Sequence, residues 1–95
     1  MEIDLSVRSS IAAAAGAIGD IDILVNNAGL LQAGQLEAET VDHVYDVLQV
    51  NLVGAIHLSR LLLQGMLQRG RGKIVNNASI SGYAFFPGSS VYAAS

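Results

Sequence analysis

Ser79 and Tyr92 are the two side chains whose types and spacing could carry chemistry. Ser79 follows Lys73-Ile74-Val75-Asn76-Asn77-Ala78, and Tyr92 comes thirteen residues later within Ser90-Val91-Tyr92-Ala93-Ala94. A serine at the end of a strand and a tyrosine in the first turns of the next helix can converge on one crevice. A phenol loses its proton only near pH ~10, so as a proton donor or acceptor at neutral pH it needs help. A nearby cation favours the phenolate, and a neighbouring hydroxyl can bond the same substrate oxygen and hold it in place. Such a pair suits proton transfer to or from an alcohol or carbonyl oxygen, coupled to hydride transfer by a bound cofactor. Each residue also has a plainer use, as a turn serine or as a tyrosine on a half-buried helix.

A third stretch, Asp22-Ile23-Leu24-Val25-Asn26-Asn27-Ala28-Gly29, supplies the element that would carry such a crevice. Its short apolar run, bounded by turn residues, predicts a strand buried on both faces, as in a parallel sheet. Ligands of open α/β sheets sit at the carboxyl ends of the strands, where Asn26, Asn27 and Gly29 fall. Amide side chains bond neighbouring backbone there, and a glycine lets a ligand come close to the main chain. A plain strand-ending turn is the alternative.

The flanking chain alternates strand and helix, the pattern of a parallel α/β sheet. Glu2 to Leu5 reads as the tail of a strand. Ser6 is a fair cap for a helix from about Val7 to Ala17, with Val7, Ile11, Ala14, Ala15 and Ile18 on one face. Leu30 to Glu39 is a loop over the crevice. Thr40 caps a helix reaching about Gln68, with Asp42 in its first turn where negative charge suits the dipole. Val41, Val44, Tyr45, Leu48, Leu52, Ile56, Leu61, Leu62 and Met66 recur along it near helical spacing. About 29 residues at ~1.5 Å each extend roughly 43 Å, more than one face of a small sheet requires. Its excess apolar surface predicts a second contact, with another subunit.

Within that helix Gly54 is read as a site of tight packing. Asn51 is either a solvated polar position or a distorted turn that frees a carbonyl or side chain toward the crevice. Arg69-Gly70-Arg71-Gly72 is a turn that places cations near the helix C-terminus. Lys73 to Ala78 is the next strand, and Ile80 to Gly88 a loop holding Tyr83, Phe85 and Phe86. Those aromatics hint at an apolar or ring-bearing substrate, although loop aromatics more often pack on their own scaffold. No internal repeat is evident.

Composition narrows the function classes. Of 95 residues, 52% are hydrophobic and 14% charged, with net charge −3 and mean hydropathy +0.46. That is apolar for a small domain that must cover itself. Five Lys and Arg give no footprint for nucleic acid. The absence of cysteine excludes disulfides and thiolate metal sites. His43 and His57 lack partners at ligand spacing, so no metal site is expected. No uninterrupted apolar run approaches the ~18 residues of a membrane span, and no signal sequence is evident. The expectation is a cytoplasmic protein.

Taken in order, Asp4, Asn26-Asn27-Ala28-Gly29, Asn51 in Val-Asn-Leu-Val-Gly, Ser79 in Ile-Val-Asn-Asn-Ala-Ser and Tyr92 in Tyr-Ala-Ala-Ser resemble the motifs of the short-chain dehydrogenase/reductase family. The resemblance covers nearly the whole chain. It implies an oxidoreductase moving hydride between NAD or NADP and a small-molecule alcohol or carbonyl substrate, in a homo-oligomer when full length. Asp4 would contact the adenine ring, and Asn26, Asn27, Ala28 and Gly29 would stabilise the central strand and line the dinucleotide site. Asn51 would hold a water in a proton relay, Ser79 would position the substrate oxygen, and Tyr92 would be the acid/base. The helix around Asn51 would pack across the usual dimer interface.

By the same likeness, residues 1–95 are an incomplete NAD(P)-binding domain, a central fragment of a Rossmann-type doubly wound parallel sheet. The family's glycine-rich turn would precede Asp4, and the lysine of its Tyr-x-x-x-Lys would follow Ser95. In the strand order 3-2-1-4-5-6 the strand near Asp4 would be the third and Asp22–Asn26 the fourth. A gap of about three strand spacings, ~4.8 Å each, would separate them. The isolated 95-residue chain is therefore expected to be inactive and marginal in stability, its first strand unpaired. The rival expectation is a non-catalytic remnant of the family that acts only as an association surface.

Overall fold

A computed structural model describes residues 2–31, 34–84 and 87–95. Helix α1 (Arg8–Ile18) leads to strand β1 (Ile23–Asn26), then to α2 (Val41–Leu48), a π-helical turn (Gln49–Val53), α3 (Gly54–Arg69), strand β2 (Lys73–Asn76) and the short α4 (Ser90–Ala94). The two strands pair in parallel, with Ile23 opposite Lys73 and Asn26 opposite Asn76. The chain is thus α/β with a two-stranded parallel sheet.

The alanine run of α1 favours helix intrinsically, and Ile11 and Ala14 turn inward from it. Its cap differs from the expectation. Val7 stands at the N-cap without a side-chain bond, because Ser6 is engaged one turn earlier. Both its hydroxyl (2.6 Å) and its backbone N–H (2.9 Å) donate to Asp4 Oδ1. The Ser6 hydroxyl, then the Ser6 N–H, hold the Asp4 carboxyl below its usual range. Glu2 to Leu5 forms no strand.

The core lies on one side of the sheet, where Ile11, Leu24, Leu58, Leu62 and Met66 cluster and Leu5, Ile18, Ile21 and Ile74 pack around them. β1 is consequently not buried on both faces. Leu24 is 8% exposed, but Ile23 and Val25 on the opposite face are 59% and 56% exposed. The helices α1 and α3 cover one layer only, so a strand of the doubly covered type shows its second face.

Thr40 caps α2 as expected, its hydroxyl accepting from the His43 N–H at 3.2 Å, with Asp42 in the first turn. From Val41 to Arg69 the helix is continuous, and a distorted turn does lie at Asn51. That π turn explains why the periodic apolar set does not form a single face. Val47, Leu58, Leu62 and Met66 are buried, whereas Val41, Tyr45, Leu52 and Ile56 face outward. The wider turn rotates the helix, so positions three or four apart on either side of it no longer share one stripe. Gly54 follows directly and is closely packed: a Cβ there would lie 2.9 Å from the Leu5 and Gln49 carbonyl oxygens. Gly70, left-handed at φ 71°, ends α3.

By length and composition the Val41–Arg69 helix is apolar enough to cross a membrane, with mean hydropathy 1.3 along its most apolar stretch. Uninterrupted apolar runs alone point to no such segment, because polar residues are scattered along this apolar helix. In the structure three of its apolar side chains, Leu58, Leu62 and Met66, pack against α1 and the sheet.

Candidate functional site

The parallel register brings two identical tripeptides side by side. Asn26-Asn27-Ala28 closes β1 and Asn76-Asn77-Ala78 closes β2. Their amides form a ladder that prolongs the sheet past its backbone bonds. Asn26 Nδ2 donates to Asn76 Oδ1 and to the Ser59 hydroxyl of α3, both at 2.9 Å. Asn77 Nδ2 donates to Asn27 Oδ1 at 2.6 Å. Beneath, the Asn77 N–H donates to the Asn26 carbonyl at 2.9 Å. Side chains alternate along a strand, so Asn26 and Asn76 share the helix-covered face and Asn27 and Asn77 the open one.

Asn51, in the π turn, faces the loop that follows Gly29. Its Oδ1 accepts from the Leu30 N–H at 2.6 Å, and its Nδ2 donates to the Leu30 carbonyl at 2.8 Å and to the Ser95 hydroxyl at 3.0 Å. One side chain therefore clips the loop after β1 to the end of α4. The distorted-turn alternative for Asn51 is the one observed. Gly29 leaves room for this approach, since a Cβ on it would stand 3.3 Å from Asn51 Oδ1.

Ser79 is extended and starts a 3-10 turn over Ile80–Gly82, its hydroxyl accepting from the Ser81 N–H at 3.2 Å. The hydroxyl proton remains available for donation elsewhere. Tyr92 is half-buried on α4, next to the buried Val91, and its carbonyl accepts from the Ser95 hydroxyl at 2.6 Å. A cleft of about 1060 Å³ at the carboxyl ends of the strands has Asn26, Asn27, Ala28, Gly29, Asn51, Ser79 and Tyr92 all in its wall. Seven of the eight candidate residues thus share one cavity. Asp4 does not: it stands exposed before α1, bonded to Ser6 and Ser10.

Tyr83 is also in the wall and is 97% exposed, so its ring does not pack on its own scaffold. Phe85 and Phe86 lie outside the described residues. Among the described residues no three His, Cys, Asp or Glu side chains converge as metal ligands. His43 is an exposed side chain 3.8 Å from the Glu39 carboxylate.

Ser59, Asn76, Asn77 and Ser95 are parts of the site that residue types alone did not single out. A signal for two of them existed. Val25-Asn26-Asn27-Ala28 recurs unchanged as Val75-Asn76-Asn77-Ala78, a short repeat that marks the two strand ends as partners. Nothing comparable marks Ser59 or Ser95.

The family model described as short chain dehydrogenase matches residues 1–95. A ketoacyl reductase, HetN, of a Nostoc species is 41% identical over 78 residues, covering 82% of this chain and 27% of that protein. Human 17-beta-hydroxysteroid dehydrogenase type 1 is 38% identical over 97 residues, covering 100% of this chain and 30% of that protein. Among solved structures, a metagenomic short-chain oxidoreductase in complex with NADP superposes with a TM-score of 0.94 at 31% identity, covering 99% of this chain and 44% of the other. The chain therefore spans about a third of the length of the curated relatives it matches.

Proposed function

This chain belongs to the short-chain dehydrogenase family, and from that membership we propose that the whole protein is an NAD(P)-dependent oxidoreductase acting on a small alcohol or carbonyl compound. The observation that carries the reading is the single cleft that holds Asn26–Gly29, Asn51, Ser79 and Tyr92 together. The lining suits the nicotinamide end of a dinucleotide: amides and hydroxyls for its polar groups, with Leu52 and Ile56 offering apolar wall. NAD or NADP, when bound, supplies or accepts the hydride.

Within that cleft Tyr92 is the acid/base. In the reducing direction its phenol gives a proton to the substrate oxygen, and in the oxidising direction it takes one from the alcohol. Ser79 donates a hydrogen bond to the same oxygen and fixes its distance from the phenol. Asn51 acts as a strut. Both Nδ2 hydrogens are committed to Leu30 and Ser95, so a relay water at this residue would be held by a backbone carbonyl of the π turn rather than by the amide donor. Asp4 is assigned to the adenine end, where the exposed carboxylate held by Ser6 offers an acceptor.

The exposed apolar side chains of the long helix support a homo-oligomer. Val41, Tyr45 and Leu67 are about 70% exposed there, and a second copy laid on this helix would cover them.

Tyr92→Phe in the protein expressed from its whole reading frame tests the assignment. Reductase activity should fall by about 10²- to 10⁴-fold, with cofactor affinity nearly unchanged. Full activity in that variant would remove Tyr92 from the mechanism.

A further inference from the structure

The open face of the sheet carries a bond between two exposed amides, those of Asn27 and Asn77. Asn27 and Asn77 are both exposed, so water competes for their amides and the pair adds little stability. Yet the bond is short, at 2.6 Å, and has a definite sense: Asn77 donates and Asn27 Oδ1 accepts. Both residues stand in the wall of the cleft. With its oxygen engaged, Asn27 presents its NH₂ group as a donor, which is the half of the amide that an oxygen-rich ligand needs. On the other face, Asn26 spends both of its amide hydrogens on protein partners, Ser59 and Asn76. The two faces of the same tripeptide therefore differ: one is saturated by the scaffold and the other is oriented but left with hydrogens to give.

We propose that Asn77 is a positioning residue for dinucleotide binding, setting the Asn27 amide so that its Nδ2 donates to an acceptor oxygen of the cofactor. The inference rests on the assignment of the cleft to NAD(P). It concerns the β2 strand end, whose assigned role is otherwise confined to Ser79. Asn77 acts through Asn27 and need not touch the cofactor.

The discriminating substitution is Asn77→Asp. A carboxylate can only accept, so the Asn27 amide must reverse to keep the pair, and its oxygen then takes the place of the donor. Strand-end geometry is retained while the presented group changes. In the full-length protein, NADH and NADPH dissociation constants from fluorescence titration should rise about five- to tenfold, the loss of one hydrogen bond. The thermal midpoint of the ligand-free protein should hardly move. The added negative charge alone would also weaken binding of an anionic dinucleotide, so the measurement is made as a cycle with Asn27→Ala. On the Asn27→Ala background, Asn77→Asp should weaken binding less than twofold. An equal loss on both backgrounds would show a charge effect and overturn the proposal, as would unchanged affinity in Asn77→Asp itself. Should Asn77→Asp fail to fold, Asn77→Ala enters the same cycle with the same criterion. A parent protein that binds neither NADH nor NADPH would instead refute the assignment of the cleft, an outcome visible before any variant is made.

Discussion

The two strand ends share Val-Asn-Asn-Ala and then part, to Gly29 after β1 and to Ser79 after β2. In parallel register the shared residues stand opposite one another and join the strands through their amides. The residue that follows decides what each end can do. Gly29 has no side chain, and the space it leaves is taken by the Asn51 amide. Ser79 turns outward, begins a 3-10 turn and brings a hydroxyl to the cleft. One end thus becomes a wall braced from behind, and the other brings a hydroxyl to the cleft. The comparison separates joining from the proposed chemistry: the common tripeptide does the first, and a single residue after it, Ser79, is assigned the second.

Of the substitutions at the two strand ends, Ser79→Ala should show the largest effect and would break the comparison most directly. The bond lost inside the protein is an exposed one from the Ser81 N–H, so the thermal midpoint should move little. If the hydroxyl holds the substrate oxygen, kcat should fall about 10²- to 10³-fold, measured at saturating cofactor. A kcat within a few-fold of the parent would place the chemistry elsewhere and leave the two ends equivalent.

Next in size is the contrast within the ladder. Asn26 donates to both Ser59 and Asn76 from a half-buried position, whereas Asn76 is exposed and accepts once. Asn26→Ala strips a partner from two groups and should cost about 1–3 kcal/mol, against about 0.5–1 kcal/mol for Asn76→Ala. Urea melts of both variants, read at their midpoints with the slope unchanged, check the order. Equal losses would mean that the tie to α3 through Ser59 contributes nothing.

Much of this arrangement was legible because its causes are local. Thr40 caps α2 since its hydroxyl reaches a backbone N–H three residues on, and Gly54 marks a close contact since no other residue would fit against the Leu5 carbonyl. The distortion at Asn51 was legible as one of two options, from a polar residue set just ahead of a glycine in an apolar helix. What could not be read depends on distant chain or on accumulated phase. The π turn shifts the helix so that Val47 and Leu58 point inward and Tyr45 and Ile56 outward, and apolarity alone cannot tell these apart. Ser6 was a reasonable cap by type, but Asp4 two residues earlier offers its hydroxyl a charged acceptor, and the charged bond is the stronger. Ser59 and Ser95 enter through bonds spanning 33 and 44 residues, which no local pattern announces. The same holds for the exposed face of β1. Its apolar run describes a strand with two covered faces, and the described residues cover one.

The smallest effect is expected from Gly29→Ala, and it tests the other half of the comparison. Gly29 has no positive φ, so alanine meets no backbone strain, and among the described residues the tightest contact is Asn51 Oδ1 at 3.3 Å from the new methyl. That oxygen must yield by a few tenths of an ångström. It is held by the Leu30 N–H, while the amide nitrogen is held by the Leu30 carbonyl and Ser95, so the shift is shared among three bonds. Slight lengthening of each costs less than about 1 kcal/mol together, and kcat/KM should drop no more than about fivefold. Steady-state kinetics with a thermal melt on the same preparation measure both. If Gly29→Ala matched the loss in Ser79→Ala, the wall would be as much a part of the chemistry as the hydroxyl opposite it. The division between a joining end and a reacting end would then be wrong.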